Sequence, residues 1–298
     1  MNEKKFCSGF AAVVGRPNVG KSTLINKLIG EKLVIMSDKP QTTRNRIMCV
    51  LTKEDFQIIF IDTPGIHKPK HKLGEYMVKA ATGALDEVNV IVFVVDATEK
   101  KGSGDEFIMK RLAGRDTKVI LVVNKIDKVE NKKDLLPIIK SYTDEMEFTA
   151  VVPISALRET DFSQLVNEVA QHLLPGPKYF PDDMVTDQPE RLIAAELIRE
   201  KILQATRDEI PHSVAVEVEE MKLRENQDIY MRAVVYVERD SQKGIVIGAG
   251  GKLLKKIGQQ ARGDIEALLG NKTYLDLWVK VKADWRNKGR SLKELGFD

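Results

Sequence analysis

Residues 10–29 read FAAVVGRPNVGKSTLINKLI: an apolar run, a loop bracketed by Gly15 and Gly20, and a stretch with apolar residues at helical spacing. Nothing else in the chain confines its fold so tightly. A β run that ends in GxxxxGK[ST] and passes directly into a helix builds a glycine loop whose backbone amides, with the positive end of the following helix, cradle phosphate. Gly15 and Gly20 let the amides face phosphate oxygens without a Cβ in the way, and Arg16, Pro17, Asn18 and Val19 form the loop between them. Lys21 is placed to reach the β and γ phosphates of a nucleotide, Ser22 to give its hydroxyl to Mg²⁺, and Thr23 stands beside them at the helix start.

That strand is the first of several. Up to about residue 175, β-rich runs alternate with helical ones: FAAVVG then KSTLINKLIG, IIFIDT then GEYMVKAATGALDE, VIVFVVDA then GDEFIMKRLAG, VILVVNK then DLLPIIKSYTDEM, and finally AVVPIS. Nearly continuous apolar strands alternating with helices predict an α/β domain with a mainly parallel sheet covered on both faces. RIMCVLT, shortly before FQIIFID, reads as a hairpin partner that adds one antiparallel edge strand. A chain of 298 residues suits two domains of roughly 150 residues each. The stretch LLPGPKYFPDDMVTDQPE, with Pro175, Pro177, Pro181 and Pro189, reads as the linker between them. The expected division is residues 1–174, a linker over 175–190, and a smaller α+β domain over 191–298. That second domain should hold a helix over 191–206, strands over 214–221 and 229–238, a glycine-centred turn over 244–251, a helix to about 269, the strand YLDLWVKV and a basic helix over 285–295.

Composition excludes several classes. Net charge is only +3, so any affinity for nucleic acid must come from a local basic surface. Cys7 and Cys49 form no CxxC pair and read as reduced, buried packing residues of a cytosolic protein. The opening MNEKKF lacks the apolar core and cleavage site of a secretory signal. The longest apolar stretch, 90–95 between Asn89 and Asp96, is far shorter than the ~20 residues of a spanning helix and reads as a buried strand.

Further motifs follow in order. In DTPG, residues 62–65, Asp62 can hold Mg²⁺ through a water and the Gly65 amide can face the γ-phosphate, with Thr63 and Pro64 completing the turn. In NKID, residues 124–127, the Asp127 carboxylate can accept from both N1 and N2 of guanine, a donor pair adenine lacks. Asn124 can brace that loop and the Lys125 stem can cover the ring. Ser155, Ala156 and Leu157 follow the strand AVVPI, where a backbone amide can serve the guanine O6. All of these sit at the carboxyl ends of strands, where nucleotides bind in open α/β sheets. In the second domain Gly248, Ala249, Gly250 and Gly251 form a GxxG turn that lets nucleic-acid backbone approach, while Lys252, Lys255 and Lys256 attract phosphates. Ile245 and Ile247 supply a floor for unstacked bases.

At these residues the amino-terminal domain resembles the translation-factor-related GTPases, the class that includes Ras. PQTTR, residues 40–44, resembles their switch segment, in which a threonine closes over Mg²⁺ in the triphosphate state. Thr42 and Thr43 both qualify; Thr43 is slightly favoured because Thr42 can serve the loop fold, and the alternative is that both merely start the edge strand. The resemblance implies that Lys21, Thr43, Gly65 and Asn18 take part in turnover. Asn18 matches an asparagine that in some related GTPases helps hold K⁺ across the phosphates, with a bond to its own backbone as the competing reading. Ile66 stands where Ras-like proteins carry a water-orienting glutamine, so hydrolysis should be slow or aided. His67 and His71 have a zinc-like spacing, but Pro69 forbids a helix between them and no third ligand is near, so a solvated loop is expected.

The order helix, two strands, GxxG turn, helix, strand resembles a type II KH domain. The whole chain is similar to the bacterial KH-domain GTPases of ribosome assembly. That resemblance implies hydrolysis of GTP to GDP and phosphate, binding to small-subunit ribosomal RNA near its 3′ end and assistance in maturation of the small ribosomal subunit. It also implies loose association with the inner face of the cell membrane; a cytoplasmic monomer is the separate expectation. Two rival readings are an RNA-binding module whose nucleotide is structural, and a membrane-surface GTPase with Arg286, Lys288, Arg290 and Lys293 on anionic lipid. Few large apolar residues lie opposite those charges, which weakens the second.

Overall fold

A computed structural model describes residues 5–37, 39, 41–65, 69 and 71–297. Pro40 of the switch tract, Ile66 and His67 therefore lie outside the described residues. The chain divides into two units, one of Met1–Val34, Thr43–Lys68 and Met77–Asp187, the other of Ile35–Thr42, Pro69–Tyr76 and Gln188–Asp298.

Through residue 175 the elements are β1 (Cys7–Val14), α1 (Lys21–Ile29), β2 (Ile47–Thr52), β3 (Phe56–Asp62), α2 (Lys72–Gly83), β4 (Val90–Asp96), α3 (Ser103–Leu112), β5 (Lys118–Asn124), α4 (Leu135–Thr143), β6 (Ala150–Pro153), α5 (Ser163–Ala170) and β7 (Leu174–Pro175). The sheet order is β2-β3-β1-β4-β5-β6, parallel throughout except that β2 runs antiparallel to β3 and β7 antiparallel to the start of β1. All seven residues of β4 are buried, as an interior parallel strand requires. On one face Ala12, Val14, Phe93, Val95, Leu121 and Val123 pack with Ile108 and Leu112 of α3 and Tyr142 of α4. Helices α1 and α5 contact β3. Helix α1 buries Leu24, Ile25 and Leu28, an i, i+1, i+4 stripe that turns Lys21 back over the loop.

The proline-rich stretch is not a free connector. Buried Gln57 accepts the amides of Tyr179 and Phe180 on Oε1 and donates to the Phe180 carbonyl. The Val50 amide donates to Val185 O and Thr186 Oγ1 to Met48 O, so the chain through Asp187 runs along the β2 edge. Proline removes amide donors but not carbonyls, and an edge strand has unpaired groups to offer them. Helix α5, burying Leu165, Val166 and Val169, adds an element the sequence reading lacks. Cys49 is buried, whereas Cys7 is only half-buried at the strand start; both are free thiols.

The second unit contains α6 (Glu190–Ala205), α7 (Ile210–Ser213), β8 (Ala215–Leu223), β9 (Ile229–Val237), α8 (Asp240–Ile247), α9 (Lys252–Leu269), β10 (Thr273–Val281) and α10 (Gly289–Glu294). Its sheet runs β10-β9-β8, with β9 parallel to β10 and antiparallel to β8. Helix α9 buries Ile257, Ala261 and Ile265 at four-residue intervals, a single stripe that leaves its lysines in solvent. Two expectations need correction. The tract 244–251 is not a turn throughout, because α8 occupies Asp240–Ile247; Gln242 Oε1 accepts the Glu238 and Arg239 amides and caps it, offsetting the poor helix propensity of Gly244 and the β-branched residues. The basic helix over 285–295 is a 3₁₀ turn, Trp285–Asn287, followed by α10; buried Trp285, whose Nε1 donates to Ser213 O at 2.8 Å, anchors it. Among the described residues no helix is long and apolar enough to cross a membrane.

Candidate functional site

The loop after β1 wraps around one ammonium group. Lys21 Nζ donates to the carbonyls of Gly15 at 3.1 Å and Arg16 at 2.9 Å, and burial lowers its pKa to about 8 against the pull of Asp62. The Arg16 side chain points elsewhere: Nε donates to buried Asp105 Oδ1 at 2.8 Å and Nη2 pairs with Glu99. Gly20 has φ 104°, and a Cβ there would stand 2.2 Å from Asn124 Nδ2. Only glycine allows that approach. Thr63 Oγ1 donates to Val13 O, tying DTPG to β1, and Gly65 lies so close to Pro17 that a Cβ would meet its backbone nitrogen at 2.9 Å.

Beneath Lys21 three oxygen-bearing side chains converge. Asp62 Oδ2 accepts from Thr43 Oγ1 at 2.9 Å and from Ser22 Oγ at 3.1 Å. Asp62 is fully buried, its Oδ1 has no hydrogen-bond partner, and burial pushes its carboxyl up against the pull of Lys21 and the two hydroxyls. A buried carboxylate oxygen without a partner, beside two hydroxyls, is a donor set for a hard divalent cation. Thr42 is not part of it: its hydroxyl donates to Lys39 O at 2.6 Å and serves the loop.

NKID closes the far side. Asn124 Nδ2 donates to Val19 O at 2.8 Å, while its Oδ1 accepts the Lys125 and Ala156 amides at 2.8 and 2.9 Å. One side chain thus braces three loops, and it occupies the Ala156 amide. Asp127 is exposed at the rim, with Oδ1 accepting from buried Ser155 Oγ at 2.6 Å; Leu157 is exposed beside it. Lys125, in a left-handed conformation at φ 66°, folds its ammonium back to the Asn18 carbonyl at 2.8 Å and to Asp96. Asn18 itself has φ 66°.

In the second unit Gly248 (φ 74°), Gly250 (φ 57°) and Gly251 (φ 78°) shape the turn between α8 and α9, with Ala249 and Gly250 exposed. Lys252, Lys255 and Lys256 are all exposed on the first turns of α9. Ile245 is exposed and Ile247 half-buried on α8, so they flank the turn from a helix and not from a strand. His71 Nδ1 accepts the Gly74 amide at the start of α2, a local structural bond.

The sequence model of the 50S ribosome-binding GTPases matches residues 10–125, and that of the KH domain matches residues 209–286. GTPase Era of Alkaliphilus oremlandii is 58% identical over 294 residues, covering 98% of this chain and 99% of the relative; that of Alkaliphilus metalliredigens is 55% identical over 292 residues, with the same coverage. This chain belongs to the Era family of GTPases. Among solved structures, a point variant of Aquifex aeolicus Era bound to GDP·AlF4⁻ matches with a TM-score of 0.94 at 42% identity. Era in complex with MgGDPNP and nucleotides 1506–1542 of 16S ribosomal RNA matches with a TM-score of 0.95, also at 42% identity; each covers 98% of this chain and 99% of the relative. As an Era-family member the chain hydrolyses GTP, and its two units are a P-loop GTPase fold and a KH fold.

Within this Era fold several residues escaped the motif reading. Asp105 tethers Arg16, Asp96 holds Lys125, and on α6 Glu200 and Arg199 grip the segment Ile35–Thr42. The first two carried a weak signal, an acidic residue in a helix's first turn and at a strand's carboxyl end. Arg199 and Glu200 sit in an ordinary charged helix and carried none.

Proposed function

We propose that this GTPase binds the 3′ region of small-subunit ribosomal RNA through its GxxG turn and α9, that the bound guanine nucleotide governs the binding, and that the cycle serves maturation of the small subunit. Kinship with Era in complex with 16S ribosomal RNA nucleotides supports the RNA partner. The observation that carries the switch lies inside the second unit. The Met36 amide donates to Glu200 Oε1 at 2.8 Å, and Arg199 Nη2 donates to the Thr42 carbonyl, one residue before Thr43. Glu200 pairs with Lys201, which pairs with Asp264 of α9, the helix opened by the GxxG turn. Tyr76, in the segment after DTPG, packs edge-on against Phe297 at 5.8 Å. Part of each segment expected to reorder with the γ-phosphate, Ile35–Thr42 and Pro69–Tyr76, thus belongs to the unit that carries the RNA turn, with Thr43 following directly in the chain.

At the nucleotide, Ser22, Thr43 and Asp62 would hold Mg²⁺, which would neutralise charge on the phosphates. Lys21 leaves the loop carbonyls for the β and γ oxygens, and the Gly65 amide faces the γ-phosphate. Asp127 selects guanine, Lys125 covers the ring and Asn124 fixes the loop. A membrane surface is the weaker partner for the basic tail, because Arg286 is largely buried in its pair with Glu238. Ribosomal RNA places the work in the cytoplasm. Titrating a single-stranded 3′-end RNA into the protein with GDP and with a non-hydrolysable GTP analogue, at fixed salt, tests the proposal. Different affinities are expected; equal ones would leave two independent domains, or a nucleotide that is merely structural.

A further inference from the structure

In the sequence the carboxyl end of β4 shows only as a strand boundary, yet Asp96 there is 3% exposed and almost completely bonded. Its Oδ1 accepts the Thr98 amide at 2.9 Å and Thr98 Oγ1 at 2.7 Å, and its Oδ2 takes the Lys125 ammonium. Register puts it there: Asp96 pairs with Asn124 across the parallel β4–β5 ladder, and the Ala97 amide donates to Asn124 O at 2.8 Å. Burial alone would raise the Asp96 carboxyl, but the bonds from Lys125 and Thr98 outweigh it and hold it below its ordinary value. The same ammonium donates to the carbonyl of Asn18 in the phosphate loop. Lys125 therefore bridges the base loop and the phosphate loop, and Asp96 is the ionised partner at its head.

We infer that Asp96 is a positioning residue that sets how long a guanine nucleotide stays bound. Resting on the proposed role of the Lys125 stem as a cover over the guanine ring, the inference assigns the rigidity of that cover to Asp96. A lysine stem has four rotatable bonds, and left to itself in solvent it spends its time in many rotamers. Pinned at the head by a buried carboxylate and a loop carbonyl, it keeps one path across the base. Thr98 in turn keeps the carboxylate from rotating away. Asp96 does not touch the base edge read by Asp127, so it governs residence time and not base choice.

The experiment is dissociation of a fluorescent GDP from the full chain, chased with excess GDP, for the native protein, Asp96→Asn, Lys125→Met and the double variant. Removing one charge-assisted bond from the ammonium should speed release about tenfold in Asp96→Asn. Lys125→Met should release at least as fast, and the double variant no faster than Lys125→Met, because Asp96 acts through that ammonium. The ratio of GDP to xanthosine diphosphate affinity should stay unchanged in Asp96→Asn. Multiplying effects in the double variant, or native release from Asp96→Asn, would overturn the inference. Native release from Lys125→Met would instead sink the base-cover reading on which it rests. Should Asp96→Asn fail to fold, Thr98→Val, which removes one of the carboxylate's braces, should still speed release severalfold, and a native rate there would count against the role.

Discussion

Single side chains decide the chemistry of the guanine site, and Asp127 is the clearest case. Held at 2.6 Å by the Ser155 hydroxyl, its carboxylate is oriented at the rim before any base arrives. In Asp127→Asn an amide donor faces a guanine donor, so two charge-assisted bonds are lost and GTP affinity should fall by about a hundredfold or more. Xanthine nucleotides, with an exocyclic carbonyl oxygen on C2 where guanine carries its amino group, should gain; paired titrations with GTP and xanthosine triphosphate check this. Asn18 tests the cation expectation. If its side chain helps hold K⁺, turnover should rise several-fold when K⁺ replaces Na⁺, and Asn18→Ala should erase the difference, measured as phosphate release in each salt.

At the scale of elements, loops do the work because strands deliver them to one edge. Gly20 shows how closely they meet. Gly20→Ala would drive a methyl into the Asn124 amide and force a side chain to φ 104°, a strain of about 1–2 kcal/mol before the Asn124–Val19 bond is counted. Guanine-nucleotide affinity should drop more than tenfold while the melting temperature shifts by only a few degrees, checked by calorimetric titration and thermal melting. The RNA turn behaves differently. A Cβ at Gly250 meets nothing within 4 Å, and its φ of 57° is one aspartate tolerates, so Gly250→Asp should fold normally. A carboxylate against phosphates should abolish RNA binding and leave GTP affinity native, separable by parallel titrations.

For the whole molecule, coupling is a reciprocal free energy: RNA must favour the triphosphate state by the factor by which GTP favours RNA, typically about 5–150-fold. Arg199 and Glu200 give that coupling a physical address. Arg199→Ala removes the hold on the Thr42 carbonyl, so the ratio of RNA affinities with GTP analogue and GDP should fall toward one while each nucleotide still binds. A retained ratio would mean that the coupling bypasses α6.

Much of this was legible in the chain because the relevant physics is local. A strand, a glycine loop and a helix are contiguous in residues 10–29, and DTPG and NKID each end their own strand, so the α/β order and the nucleotide motifs could be read directly. Nearly continuous apolar runs likewise marked β4 and β5, and the lysine-rich stretch after GxxG marked α9. What tertiary structure alone decided are contacts between residues far apart in the chain. Thr43 and not Thr42 meets Asp62 because of how the loop before β2 turns, with Thr42 bonded to Lys39. The proline-rich stretch 175–187 looks like a linker until the β2 edge and Gln57 supply partners for the amides of Tyr179 and Phe180 and the carbonyls of Phe180 and Val185. Helix α8 overrides the poor propensity of its own residues through a cap formed with the end of β9. Asp96 becomes functional only when the parallel register sets it beside Asn124, and propensity, which is a property of neighbours in sequence, carries no information about register between strands.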